Sequence, residues 1–285
     1  MRRLIVNADD FGLTSGVNRA IIEGNRLGIV TSATLMANAK ATDLAIDLAK
    51  AQPSIKTGCH VVLIDGVPLT ANLASLTEDS QRFRTSLKQF AMAAIRKQIS
   101  AEEVQREVET QVRKIQSRGI TLTHLDSHKH THMFPHVLRP LLRAAKACGL
   151  RAVRNPFEPL RCWPAVMMLS TPGLWLRSAG VTAFQMFAAD FRRAIKEEGM
   201  ASTDGTVGIA VTGMLNQKRL LRILEALPDG TWELVCHPGY SDADLQAAGT
   251  RLTQSREVEL SALTSEETKK AIAHRQIELI SYADL

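Results

Sequence analysis

Aromatic residues make up only 5% of this 285-residue chain, and no basic-aromatic motif accompanies them, which argues against nucleic acid as a partner. Cysteine is equally sparse. Cys59, Cys148, Cys162 and Cys236 are scattered with no CxxC pair, which excludes a zinc ribbon and a disulfide framework. They read as small apolar residues of a reducing compartment. No stretch approaches the roughly 18–20 apolar residues of a membrane span. The opening "MRRLIVNADD" has too short an apolar run for an export signal, so a soluble cytoplasmic protein is expected. Repeats and low-complexity segments are missing too.

What is present is an ordinary globular composition with a basic balance. The chain is 45% hydrophobic, enough for a substantial core in one domain over 1–285. A net charge of +6 permits attraction to anionic surfaces without demonstrating it. Short apolar runs alternate with helical patterns. Strands are expected at 3–8, 31–37, 56–63, 121–126, 150–154, 207–211, 232–237 and 276–282. Helices are expected at 15–28, 41–51, from Ser100 to Gly119, at 135–149 and from about 255 to 273. Ser100 and Glu103 have the spacing of a capping box, and Val104, Val108, Val112 and Ile115 share one face. Such alternation predicts an α/β fold, an irregular TIM-like (β/α) barrel of about seven parallel strands with outer helices. Residues 156–181 break the pattern. Rich in Trp, Met and Pro, with Trp163 and Trp175, they read as an insertion or lid.

Polar groups collect at the expected strand ends. Asp9 and Asp10 end the first strand, His60 lies in the third, the fourth runs through Asp126 into His128, and His237 precedes Pro238-Gly239. In a β/α barrel those ends meet at one mouth. Singly, each has a bland reading: paired Asp as turn residues, a lone His as a packed core residue. The tract "THLDSHKHTHMFPH" is harder to dismiss, since five of the eight histidines fall within residues 123–136. Two imidazoles and a carboxylate suit a mononuclear zinc or similar site with a position left for water. A further carboxylate could take a proton from that water, and His237 across the mouth could protonate a leaving group. Such a set describes metal-assisted hydrolysis of an amide or ester.

At these residues the chain resembles the YdjC-like carbohydrate deacetylases, a family that includes chitooligosaccharide deacetylases and a hopanoid-associated branch. The likeness runs in order through "LIVNADDFGLT", "GIVTSATLM", "GCHVVLIDGVPL", "THLDSHKHTHMFP", "GLRAVRNP" and "ELVCHPGY". It implies a divalent-metal-dependent N-deacetylase with Asp10, His60 and His128 as ligands, Asp9 as general base and His237 as general acid. Zinc is the first expectation for the ion and magnesium the second. His130 and His132 are left to line the sugar site or orient ligands, while Arg154 and Asn155 read equally as contacts to sugar hydroxyls and as a salt-bridge partner and a turn residue. His132 competes with His128 as ligand if the tract turns helical after Ser127. Cys59 departs from the apolar residue common at this place in the family; strand alternation predicts that it faces away from the metal, as Cys236 does beside His237.

The substrate implied is an N-acetylhexosamine unit of an oligosaccharide or glycolipid, such as an N-acetylglucosaminyl hopanoid. Apolar side chains of 156–181, with Arg161 and Arg177, would then meet a membrane surface, or else pack on the barrel or a second subunit of a homodimer. Two other readings compete. Hydrolysis of another acyl or phosphoryl group is one, although two-metal phosphoesterases need more carboxylates than the strand ends carry. A non-catalytic sugar- or metal-binding module is the other, with no need for both a base and an acid.

Overall fold

A computed structural model describes residues 1–79, 81–158, 182 and 184–285. The lid expected at 156–181, with both of its tryptophans, lies almost wholly outside them.

Among the described residues seven strands run β1 (Arg2–Phe11), β2 (Ser32–Leu35), β3 (Lys56–Val61), β4 (Leu125–Ser127), β5 (Gly205–Val207), β6 (Gly230–Cys236) and β7 (Ile277–Ile280). All pair in parallel, in the order β4-β3-β2-β1-β6-β5. Single parallel bridges, Leu125 with Val153 and Ala152 with Ala201, carry the pairing from β4 to the segment entering β5. The hydrogen-bonded circuit is thereby closed, as a TIM-like barrel requires. The strand expected at 150–154 shrinks to this two-residue bridge. β7 pairs only Arg2–Ile5 of β1, below the stretch from Asn7 to Phe11 that pairs β2.

Outside the sheet lie α1 (Ser15–Leu27), α2 (Thr42–Ala51), α3 (Leu87–Ile95), α4 (Ala101–Ser117), α5 (Pro135–Ala147), α6 (Ala188–Glu198) and α7 (Gln217–Ala226). After β6 come α8 (Ala243–Ala247), α9 (Ser255–Thr264) and α10 (Glu266–His274). Sequence explains most starts. Thr14 caps α1, and Pro135 opens α5, where its missing N–H costs nothing. Val104, Val108, Val112 and Ile115 of α4 are fully buried, each contributing about 1.5–3 kcal/mol. The capping box is only half formed. Ser100 Oγ accepts from the Glu103 N–H, but the Glu103 carboxylate turns to the N–H and Oγ of Ser75, whose hydroxyl oxygen accepts the Ser100 N–H at 2.8 Å. A distant loop has displaced the local partner.

β1 shows how the barrel is layered. Leu4, Val6 and Ala8 join the large core under the helices, while Ile5 joins a small inner cluster with Ala152, Ile280 and Tyr282. The next inward positions, Asn7 and Asp9, are polar and equally buried. An apolar plug thus closes the bottom, and a polar layer above it underlies the mouth.

Candidate active site

Asp9 and Asp10 are neighbours on β1, and a regular strand would send them to opposite faces. The pairing of β1 with β2 shifts register between Ala8 and Phe11, and Asp10 adopts φ 65°, a left-handed conformation. For a non-glycine residue that costs about 1–2 kcal/mol. The bulge turns both carboxylates into one site.

On β3 and β4, His60 pairs in register with Asp126. Its Nδ1 bonds Asp126 Oδ1 at 2.7 Å, leaving Nε2 pointed at Asp10 Oδ1, 3.6 Å away. His128 brings Nδ1 to 3.3 Å from the same oxygen. One donor atom each from Asp10, His60 and His128 lies within 4.8 Å of the others, a set suited to a divalent cation. The other Asp10 oxygen, Oδ2, accepts from Arg256 Nη2 at 2.6 Å, so a single oxygen faces the histidines. Asp9, His60 and Asp126 also lie close together, but there the carboxylates are committed to Arg154.

His128 and His132 differ in their hydrogen bonds. A short 3-10 segment follows β4 over His128–Met133, with Lys129 and His130 at φ 54° and 52°. His132 is fully buried, its Nδ1 bonded to Ser127 Oγ at 2.6 Å and its Nε2 to the Arg154 carbonyl at 3.2 Å. Both ring nitrogens are used inside the protein. His130 leaves Nδ1 without a hydrogen-bond partner among the described residues. His124 stacks on Tyr282 at 3.7 Å.

Arg154 and Asn155, expected at sugar hydroxyls, are turned inward instead. Arg154 is 0% exposed and meets three carboxylates: Asp9, Asp126 and Glu233, each at 2.6 Å. Asn155 donates to the Thr203 carbonyl and accepts from the Phe157 N–H, a turn-building pair. Thr34 of β2 ties the layer together, with Oγ1 within 3.3 Å of Asp9 Oδ1, Asp126 Oδ2 and His60 Nδ1.

His237 follows β6 on the far side of Asp9. Its Nε2 is 3.9 Å from Asp9 Oδ2. Cys59 packs into the hydrophobic core, and Cys236 donates its S–H to the Asn7 carbonyl at 3.4 Å; neither joins the donor set.

Charge explains the protonation states. Burial would lift Asp9, but Arg154, His60 and His237 outweigh it and hold the carboxyl well below its usual range. Burial would likewise lift Asp10, and Arg256 and His128 keep it low. Burial alone would depress His60, yet Asp126, Asp9 and Asp10 raise it to about 9. The acidic surroundings favour positive charge where the ion would sit. His237 is pushed down to about 4, chiefly by burial.

The family model of YdjC-like proteins matches residues 3–274. The chain belongs to the YdjC-like family. It is 32% identical to a carbohydrate deacetylase of Brevibacillus brevis, covering 99% of each chain. It is 33% identical to one of Geobacillus stearothermophilus, covering 99% of this chain and 98% of that one. Among solved structures, a candidate cellobiose-phosphate cleavage protein of Enterococcus faecalis superposes with a TM-score of 0.78 at 24% identity, covering 99% of this chain and 98% of that chain. That likeness speaks for the fold.

Asp126, Thr34, Arg256 and Glu259 escaped assignment from sequence. Asp126 had a signal, lying two residues before His128 at a strand end. Arg256 and Glu259 had another: charges at i and i+3 in the stripe that buries Leu260 and Leu263.

Proposed function

We propose that this YdjC-like protein is a divalent-metal-dependent deacetylase that removes the N-acetyl group from an N-acetylhexosamine unit of an oligosaccharide or glycolipid. One observation carries the reading. Asp10, His60 and His128 present converging donor atoms between a buried ionised carboxylate, Asp9, and an imidazole, His237. The deacetylase names of the relatives supply the substrate class.

Asp10 Oδ1, His60 Nε2 and His128 Nδ1 would hold the ion. Two imidazoles and one carboxylate favour zinc, with magnesium second. When bound, the ion supplies Lewis acidity, easing deprotonation of water and polarising the acetyl carbonyl. Asp126 fixes the ring of His60, as a carboxylate behind a metal-binding histidine does. Asp9 accepts the proton of the attacking water. Its low pKa makes it a weak base, so its contribution is a placed, permanently ionised acceptor. His237 gives a proton to the departing amine nitrogen. His130, its Nδ1 unpartnered among the described residues, faces the sugar, and His132 braces the tract from behind.

No helix among the described residues is long and apolar enough to cross a membrane. The enzyme acts in the cytoplasm, and a glycolipid substrate such as a hopanoid-linked sugar would bring it to the membrane surface through residues 156–181. The deciding experiment is acetate release from a panel of N-acetylated sugars and glycolipids, with metal content measured on the same sample. Chelator should abolish release and the metal should restore it. Full activity without a bound ion would refute the proposal.

A further inference from the structure

Arg256 and Glu259 stand one turn apart on α9 and are 0% and 1% exposed. A charge so placed costs several kcal/mol unless a partner repays it. Arg256 has Asp10. Glu259 has the main chain of His237: its Oε2 accepts that N–H at 2.6 Å, with Nδ1 of the same residue 4.0 Å away. No other ion-pair partner of Glu259 lies within 4.0 Å among the described residues. The imidazole is therefore set between two carboxylates, with Glu259 on the Nδ1 side and Asp9, 3.9 Å away, on the Nε2 side. β6 ends at Cys236, so His237 is the first residue free of the sheet. The hydrogen bond from α9 fixes the chain where the ladder no longer does.

We propose that Glu259 is a positioning residue for proton delivery by His237. This rests on the deacetylase reading above. Glu259 holds Nδ1–H of the neutral ring towards α9, which leaves the Nε2 lone pair on the Asp9 side to take up the proton that Asp9 draws from the attacking water. When the amide C–N bond breaks, its electron pair stays on nitrogen, and nitrogen takes the Nε2 proton. The Glu259 carboxylate stabilises the imidazolium that precedes this transfer. The ring is left as the neutral Nδ1–H tautomer. Asp9, having passed its proton to Nε2, is ionised again. Net, one water and one amide give acetic acid and an amine.

The leaving group supplies the test. An amine needs a proton to depart, whereas the phenolate of 4-nitrophenyl acetate does not. Glu259→Gln keeps the size and the acceptor for the His237 N–H and removes the charge. In metal-loaded enzyme it should lower kcat on an N-acetylated sugar by about tenfold or more, within the range of general acid effects. KM, metal content and aryl ester turnover should stay within about twofold of wild type, and His237→Ala should show the same selectivity. Equal losses on amide and ester would mean a structural role and overturn the proposal, as would unchanged amide turnover. Imidazole nitrogen NMR gives a readout independent of turnover. His237 should carry its neutral-state proton on Nδ1 in wild type and lose that preference in Glu259→Gln; an unchanged tautomer also overturns it. If wild type releases no acetate from any N-acetylated sugar, the deacetylase reading has failed, and the Glu259 role falls with it.

Discussion

Arg154 holds both oxygens of Asp9, Nη1 to Oδ2 at 2.8 Å and Nη2 to Oδ1 at 2.6 Å, with both groups buried. The same guanidinium neutralises Asp126 and Glu233. Removing it strands three buried carboxylates, and breaking a buried pair of this kind costs about 3–5 kcal/mol. Arg154→Met should lose that much in denaturant unfolding. Arg154→Lys keeps the charge but cannot grip two oxygens at once. It should fold more stably than the Met variant yet turn over far more slowly than wild type. Equal activity of the Lys variant would show that the fork geometry is irrelevant.

Asp9 and Asp10 differ in what they touch, and their variants should differ accordingly. Asp10 offers Oδ1 to both histidines, so Asp10→Ala should abolish metal binding, and His128→Ala should weaken it severely. Asp9 shares its oxygens with Arg154, outside that donor set. Asp9→Asn should keep the metal, measured by elemental analysis, while turnover drops by roughly 10²–10⁴. A fully active Asn variant would remove Asp9 from the proton transfers.

Gly58 tests the packing behind β3. A Cβ there would lie 2.4 Å from His124 Cε1, on a ring that also stacks on Tyr282 at 3.7 Å. Gly58→Ala should therefore cost about 1–3 kcal/mol, as overpacking does. A variant as stable as wild type would mean that the His124 ring moves freely.

His124 and His132 are fully buried, and burial depresses them from 6.5 to about 3 and about 4. The unfolded chain thus binds their protons first as pH falls. Their contribution to stability is complete above pH 6.5 and is lost progressively towards pH 3–4. The loss is on the order of several kcal/mol between them, at about 1.4 kcal/mol per unit. Unfolding free energies at about pH 7.5 and about pH 5 should differ accordingly, and the slope should be shallower in His124→Gln. No change in slope would place the acid sensitivity elsewhere.

The strand ends were legible because alternating apolar runs and helical patterns fix a barrel and hence one mouth. That placed Asp9, Asp10, His60, His128 and His237 near one another. What stayed hidden depends on tertiary geometry. The bulge that turns Asp9 and Asp10 into the same site is a register shift, visible only once β1 meets β2. Arg154 read equally as a sugar binder and as half of a salt bridge at a strand end; its three carboxylates come from three strands that only the fold brings together. Helix α9 is nearly 250 residues from Asp10, and no local pattern links them.

His60 ties the metal to the proton. Asp126 bonds its Nδ1, Asp9 and Asp10 flank it, and together they raise it from 6.5 to about 9. In chelator-treated protein the ring is therefore an imidazolium at neutral pH. A metal ligand needs the Nε2 lone pair, so cation binding must expel that proton. Zinc titrated calorimetrically near pH 7.5, in two buffers of different protonation enthalpy, should release close to one proton per ion. Affinity should rise roughly tenfold per pH unit until His60 deprotonates near pH 9. The raised pKa also adds stability to the chelated protein, complete below pH 6.5 and lost as pH climbs through about 9. Asp126→Asn removes the largest raising charge, so its proton release at pH 7.5 should shrink while binding weakens from loss of ring orientation. Heats that do not depend on the buffer would exclude His60 as the ligand that surrenders the proton.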